Sequence, residues 1–434
     1  MRLTSTALLL VFAAALAGCN DTLESATYDT PKVANKVEQP LPGRILAEIQ
    51  KKGMERNSPI MLRIFKEEGK LEVWKAKTNN RFDMIASYDI CAWSGRLGPK
   101  IKEGDRQAPE GFYPLTPYHL NPNSKYFLAI NTGFPNRYDQ ANGRSGTNLM
   151  IHGACSSSGC YSMTDAQILE IYAFARDAFK GGQTSIQLQA FPFRMTAENM
   201  ARHRHSQHIE FWKMLKVGYD QFEVTKRPPD VNVCEKRYVF NQVAADGKGF
   251  SAQAACPPMS TPPALEMAMA GYNAAYDKAY DKAMKKFDGK IWYDPTEAER
   301  KALVADLRRS RAQDLAFAPT GSALKAGKLL DIDDVDPAAL NAPDGAAAVN
   351  RMASNKATLT AAPMSTPGNA GPVAGQPATA QAAPAATAPQ AGETQTASNI
   401  PVPQPNPLAP PPQTAAAAEA PAKKKPFWML WQSE

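Results

Sequence analysis

His152 and Cys160 are the two side chains whose types and spacing best fit covalent chemistry. They stand in the stretch Asn148 to Asp165, NLMIHGACSSSGCYSMTD, with Gly153 after the histidine and Gly159 before the cysteine. A cysteine becomes a working nucleophile when a base within hydrogen-bond reach takes its proton. The apolar run Leu149-Met150-Ile151 predicts a buried strand that delivers His152 at its end. The small polar loop between the two glycines can fold back and bring Cys160 to the imidazole, and glycine lets backbone approach a substrate closely. Taken alone, a Cys/His pair more often means a buried thiol and a structural histidine, so the surrounding pattern has to decide.

The elements that position the pair are written nearby. Thr164 is an N-cap with Gln167 three residues on, a capping box, and Met163 and Ile168 form a hydrophobic staple. Ile168, Tyr172, Ala175 and Phe179 make one apolar helical face, and Gly181 ends it. Cys160 is therefore expected just before a helix N-terminus, where a thiolate is favoured. From Ser58 the pattern has period two: Ile60, Leu62 and Ile64, a turn at Lys66–Lys70, then Leu71 and Val73, which is a hairpin. Met84 to Trp93 reads as a further strand, Gly95 to Gly111 as a Gly/Pro-rich connection, and Phe112–Leu115, Tyr126–Asn131 and Ser185–Phe191 as more strands. Many short strands with few helices predict an α+β, β-rich sandwich.

The local motif, His-Gly, a loop, then Ser158-Gly159-Cys160, resembles the active site of the L,D-transpeptidase (YkuD-type) catalytic domain. That family usually has a longer loop and a second histidine where Ser158 stands. Both departures resemble the YafK branch of murein L,D-transpeptidases. So do INTGFPNRYDQANGRSGTNLMIHG, GCYSMTD, FPFRMT at Phe191–Thr196 and GYDQFE at Gly218–Glu223. The likeness runs from about Ser58 to Phe240. It implies peptidoglycan stem peptides as substrate and no cofactor. In the family the cysteine attacks the carbonyl of a meso-diaminopimelyl residue, D-alanine leaves, and a thioester acyl-enzyme passes to an amine or to water. Mapped here, Cys160 is the nucleophile, His152 the general base and acid, and the Gly153 carbonyl orients the imidazole. Backbone N–H groups around Gly159 and Cys160 stabilise the oxyanion. Ser158, Tyr161 and Arg144 are the expected cleft residues, Arg144 as a fork for a substrate carboxylate. Three roles stay in view: transfer in wall biogenesis, hydrolysis that detaches an outer-membrane protein linked to peptidoglycan, and wall binding without catalysis.

The first residues bear on compartment. Arg2 precedes the apolar run Ala7 to Ala17, too short to span a bilayer and suited to a signal peptide. Leu16-Ala17-Gly18-Cys19 resembles a bacterial lipobox, which makes Cys19 the lipidated residue of a periplasmic lipoprotein of a Gram-negative bacterium, in either membrane. Setting Cys19 aside leaves Cys91, Cys155, Cys160, Cys234 and Cys256, an odd number in an oxidising compartment, as a reduced nucleophile requires. Cys234 and Cys256 close a short turn-rich loop and suggest a disulfide. Cys91 is expected to be buried. For Cys155 the readings remain open: a second thiol, a redox partner of Cys160, or an inert side chain.

Six segments follow: the signal peptide 1–19, a tether and short helix 20–57, the catalytic domain with its helical extension 58–241, a small hairpin and helical hairpin 242–335, an Ala/Pro-rich stretch 336–422, and a basic-aromatic end 423–434. The small hairpin is expected to pair Glu235–Gln242 with Phe250–Cys256 around Asp246-Gly247. The helical hairpin spans 263–312 and restarts at Asp294-Pro295. Residues 336–422 carry too little apolar surface to offset ordering entropy. Lysines followed by Phe427, Trp428, Met429, Leu430 and Trp431 suit a membrane interface or a partner. His203, His205 and His208 lack zinc-site spacing with any Cys or carboxylate, so they are read as a solvated basic face and no metal is expected. The net charge of +7 gives no nucleic-acid signal and suits anionic surfaces.

Overall fold

The period-two stretch after Ser58 becomes the spine of the protein. In this computed structural model, which describes residues 33–93, 95–155, 159–245, 247–294 and 327–335, helix α1 (Gly43–Lys51) leads into the hairpin β1 (Ile60–Phe65) and β2 (Lys70–Ala76). There follow β3 (Phe82–Asp89), β4 (Ala92–Trp93), β5 (Gly111–Leu115), β6 (Leu120–Asn121), β7 (Ala129–Asn131) and α2 (Arg137–Ala141). Then come β8 (Met150–His152), β9 (Tyr161–Ser162), α3 (Asp165–Lys180), β10 (Ile186–Phe191), α4 (Ala197–Arg202) and α5 (Ile209–Thr225). The order is mixed helix and sheet, the α+β class expected.

Two five-stranded sheets result, one ordered β3-β2-β1-β10-β5 and the other β4-β9-β8-β7-β6. The first has long strands: β1 pairs with β2 antiparallel and with β10 in parallel, Leu62 opposite Leu188. The second has strands of two or three residues. Helix α3 touches β1, β7 and β8, and its buried face, Ile168, Ile171, Tyr172 and Phe174, joins both sheets in one core.

The predicted single strand Met84–Trp93 is in fact two. β3 pairs with β2 in the long sheet, and the chain then crosses at Ile90 so that β4 pairs with β9 in the short one. The switch is fixed by hydrogen bonds, Ile90 N–H to the Gly69 carbonyl and Cys91 N–H to the Ser162 carbonyl, both 2.8 Å, which leave no mark on hydropathy. Strand β1 departs from the one-sided alternation as well. Arg63 is fully buried, because α5 covers that face. Its guanidinium reaches Glu223 at 2.6 Å and lies 4.5 Å from the Tyr219 ring and 4.7 Å from the Phe222 ring.

Lys66, just past β1, is also fully buried. Its ammonium holds the carbonyls of Arg96 (2.9 Å), Gly98 (3.1 Å) and Ala108 (3.1 Å) and the Glu110 carboxylate at 2.8 Å. Glu110 also accepts from Gly98 N–H and Trp212 Nε1. The Gly/Pro-rich connection 95–110 is thus pinned to the long sheet by one buried charge cluster.

After α5 the expected small hairpin is replaced by another. Val231–Cys234 (β11) pairs with Arg237–Phe240 (β12) through Glu235 and Lys236, both left-handed, the conformation that a tight two-residue turn needs. The 250–256 segment caps that turn instead of pairing as a strand: the Glu235 and Lys236 N–H groups donate to the Ala254 and Ala252 carbonyls, and Cys234 is joined to Cys256. Short strands Val243–Ala244 (β13) and Met259–Ser260 (β14) precede the helix α6 (Pro263–Lys286). The Tyr stripe of α6 packs on α5, with Tyr272 Oη donating to Asp220 (2.9 Å) and Lys216 Nζ 3.3 Å from the Tyr276 ring centre. Before the predicted restart at Asp294 lies a strand, β15 (Lys290–Tyr293), paired with β16 (Lys328–Asp331). Residues 295–326, the expected second helix, lie outside the described residues, as do the signal peptide with Cys19, the Ala/Pro-rich stretch and the basic-aromatic end.

His203 corrects the solvated-face reading. It is buried, stacked 4.3 Å from the Phe193 ring and 3.2 Å from Glu67. Burial holds its pKa below the usual imidazole value.

Candidate active site

Met150 and Ile151 place β8 between β7 and β9, with Ile151 fully buried and His152 at the strand's end, 2 % exposed. β8 and β9 run parallel with Ile151 opposite Tyr161 and His152 opposite Ser162. Cys160 immediately precedes β9, level with Met150. Alternate residues share a face of a strand, so the Cys160 and His152 side chains lie on one face, offset by one diagonal step. The thiol is tied to β8 at its start: Met150 N–H donates to Sγ at 3.4 Å, and Sγ lies 3.6 Å from the Asn148 carbonyl. Asn148 is left-handed, and so is Gly159 at φ +97°, which turns the chain into the cysteine where a side chain would be strained.

The imidazole is fixed on its other nitrogen. Nδ1 lies 2.6 Å from the Gly153 carbonyl. A carbonyl only accepts, so the contact assigns the proton to Nδ1 and leaves Nε2 as the base. One ring face lies against Tyr126, centroids 4.6 Å apart. Gly153 is held so tightly that an added Cβ would sit 2.4 Å from Asp165 Oδ1 and 2.9 Å from the Tyr126 carbonyl. Its N–H donates to the carbonyls of Tyr126 and Leu128, while the His152 carbonyl accepts from Met163 N–H at 2.7 Å.

Burial dominates both titrations. It lowers His152 to about 4, against a smaller upward pull from the Gly153 carbonyl. It raises the Cys160 thiol, against the Met150 N–H and then the Lys100 ammonium, which both favour the thiolate. Burial thus favours the neutral form of each group, thiol and imidazole. This differs from the thiolate expected at a helix start. The first turn of α3 begins only after β9 and the Thr164 cap, and the N–H that reaches the sulfur comes from β8.

Two expected site residues, Tyr161 and Arg144, sit elsewhere. Tyr161 is fully buried and donates its hydroxyl to the Pro109 carbonyl at 2.6 Å, so it is core and not a cleft hydroxyl. Arg144 takes its carboxylate from the chain itself: the guanidinium meets Asp139 at 2.9 Å between the rings of Tyr138 and Phe211. Ser158 lies outside the described residues. Cys155 is joined to Cys91, which resolves the open readings: it is neither a second thiol nor a partner of Cys160. With the Cys234–Cys256 bridge, Cys160 is the cysteine that stands outside both disulfides among the described residues.

Sequence reasoning missed three neighbours. Tyr126, half exposed, walls the imidazole. Lys100, 3 % exposed and paired with Asp105 at 2.6 Å, supplies positive potential at the thiol. Asp165 backs the turn after His152. An aspartate as the first residue of a capped helix was visible but reads as ordinary helix chemistry.

With this geometry established, likeness to known proteins is informative. The profile of the L,D-transpeptidase catalytic domain (YkuD) matches residues 62–186. The chain is 49 % identical over 185 residues to YafK of Escherichia coli K12, whose L,D-transpeptidase name is itself provisional, covering 43 % of this chain and 75 % of that protein. YafK of E. coli O157:H7 gives the same figures. Among solved structures, the helical cell shape determining protein Pgp2 of Campylobacter jejuni is 16 % identical with a TM-score of 0.26, covering 43 % of this chain and 79 % of that one.

Proposed function

The chain belongs to the L,D-transpeptidase (YkuD) catalytic-domain family, and from that premise we propose that it cuts and rejoins peptidoglycan stem peptides through a thioester on Cys160. The observation that carries the reading is a reduced cysteine just before the strand that pairs beside His152, whose Nδ1 is committed to a carbonyl. Cys160 Sγ attacks the carbonyl of the meso-diaminopimelyl residue while His152 Nε2 takes the thiol proton. The tetrahedral oxyanion is met by backbone N–H groups near Gly159 and Cys160, a contribution of about 10²- to 10³-fold. The imidazolium returns its proton to the departing D-alanine nitrogen, leaving the thioester. An acceptor amine, deprotonated by the same imidazole, attacks the thioester carbonyl. A new amide forms, and the sulfur leaves and regains its proton. Two disulfides support an oxidising compartment for this work, in keeping with a periplasmic protein tethered through Cys19.

The test uses a carbapenem, whose strained amide carbonyl reports thiol attack, with intact-mass readout. The native protein gains one adduct, mapped to Cys160; Cys160→Ala gains none; His152→Ala acylates slower by about 10²- to 10⁴-fold. Stem tetrapeptides with and without an acceptor amine then separate cross-linking from hydrolysis. A native protein that neither acylates nor processes tetrapeptides would leave wall binding as the function.

A further inference from the structure

The buried carboxylate of Asp165 has no part in the mechanism above, yet it lies against the turn that orients the base. Asp165 is 7 % exposed, and its Oδ1 accepts from Ala154 N–H at 2.8 Å. That N–H and the Gly153 carbonyl belong to one planar peptide unit, so gripping the first aims the second. The carbonyl so aimed is the one 2.6 Å from His152 Nδ1. Ala154 is left-handed at φ 65° and Cys155 at φ 47°, a strained pair that needs outside support. Gly153 leaves room for the carboxylate, since a Cβ there would meet Oδ1 at 2.4 Å. The second oxygen, Oδ2, is buried with no hydrogen-bond partner among the described residues, an arrangement that costs stability and calls for an explanation.

We propose that Asp165 is a positioning residue for catalysis: its carboxylate clamps the Gly153–Ala154 peptide, and through it fixes the tautomer and orientation of the His152 imidazole. Carboxylate, peptide and imidazole form a chain of hydrogen bonds in which each link polarises the next. The groups facing the imidazole are Tyr126 on one ring face, Cys160 at the entry to the neighbouring strand and the Gly153 carbonyl; Lys100 acts on Cys160. The proposal rests on Cys160 and His152 being the working pair, and its first readout needs no turnover.

Imidazole ¹⁵N shifts of the full chain, with His152→Gln to assign the signal, report the tautomer directly. The native protein is expected in the Nδ1–H form. Asp165→Ala should lose that preference and slow carbapenem acylation of Cys160 by about 10- to 100-fold, the scale of a misaimed group. Asp165→Asn, whose side-chain oxygen still accepts from Ala154 N–H, should restore the tautomer and most of the rate. Should Asp165→Ala not fold, Asp165→Ser keeps a helix-starting residue without the reach to Ala154 and carries the same test. An unchanged tautomer in Asp165→Ala or Asp165→Ser, even with a lower melting temperature, would overturn the proposal. A native protein that does not acylate would count against the proposed function, while the tautomer would still decide the role of Asp165.

Discussion

Strand β1 is six residues long and buried along its whole length, whereas β8, which ends in His152, has three residues and β9, which follows Cys160, has two. The long sheet is held by side chains packed on both faces: Leu62, Ile64 and Leu188 toward one layer, Arg63 in its aromatic box toward the other. The short sheet has too few ladder bonds to fix its own geometry. It is set by individual latches: the Cys91–Cys155 disulfide, Met163 N–H on the His152 carbonyl, Gly153 N–H on Tyr126 and Leu128, and Asp165 on Ala154. Packing resists deformation in every direction, while a latch fixes one atom in one place. A reacting pair needs the second kind of control, supplied from a scaffold that provides the first.

The comparison breaks most visibly at Lys66, where the residue just past β1 of the long sheet holds the 95–110 connection. Lys66→Met should cost about 3–5 kcal/mol, because it leaves the Glu110 carboxylate buried without its cation. Urea unfolding measures this, and a midpoint within error of the native protein would mean that Gly98 N–H and Trp212 satisfy Glu110 alone.

Cys155→Ser cuts a latch instead. The bridge spans 64 residues of sequence, and loss of such a cross-link typically costs about 2–4 kcal/mol. Because Cys155 lies between His152 and Cys160, its acylation rate should fall further than that of a scaffold variant matched in stability. Equal rates in a matched pair would show that the disulfide serves the whole fold and not the site.

The buried imidazole leaves a signature in acid. His152 titrates near 4 when folded, against about 6.5 for a free imidazole. The unfolded chain takes up a proton first, so this stability is complete above about pH 6.5, is lost as pH falls toward 4, and levels off below. The full change is up to about 3 kcal/mol. His203 and His208 are also held low by burial, so the measurement is a difference. The urea midpoint of His152→Asn, plotted against pH, should decline less than the native one over that window. Parallel curves would place the imidazole in water.

Much of the long sheet was written in the sequence. The alternation of Ile60, Leu62 and Ile64 gave β1, and Thr164 with Gln167 gave the start of α3, because both signals are local. His152, Cys160 and the carbonyl of Gly153 were readable from one motif and its family resemblance. Latches were not. Cys91 and Cys155 meet only after the chain switches sheets at Ile90, and nothing within a few residues of either encodes that crossing. Tyr161, next to Cys160, read as a cleft residue, yet its side chain turns into the core, where the Pro109 carbonyl meets it. Asp165 was hidden for the opposite reason: its place at a helix start already explained its type.

The smallest predicted effect tests the element that serves both regions. Helix α3 packs on β1 in the long sheet and on β7 and β8 in the short one, and its first turn is closed by the Thr164 hydroxyl accepting from Gln167 N–H at 3.2 Å while Gln167 Oε1 accepts from Thr164 N–H at 2.9 Å. Thr164→Ala removes the first of these bonds and should cost about 1 kcal/mol, with Thr164→Ser close to native. The helix then keeps its buried face, so the long sheet loses only that increment. Asp165 is the next residue, however, and a frayed first turn lets its carboxylate drift from Ala154. A modest shift in urea midpoint accompanied by a larger fractional loss of Cys160 acylation would show that the cap transmits order from scaffold to latch. If acylation fell only in step with the folded fraction, the grip of Asp165 would be set by the core contacts of α3, chiefly Ile168 and Ile171, and the cap would matter to stability alone.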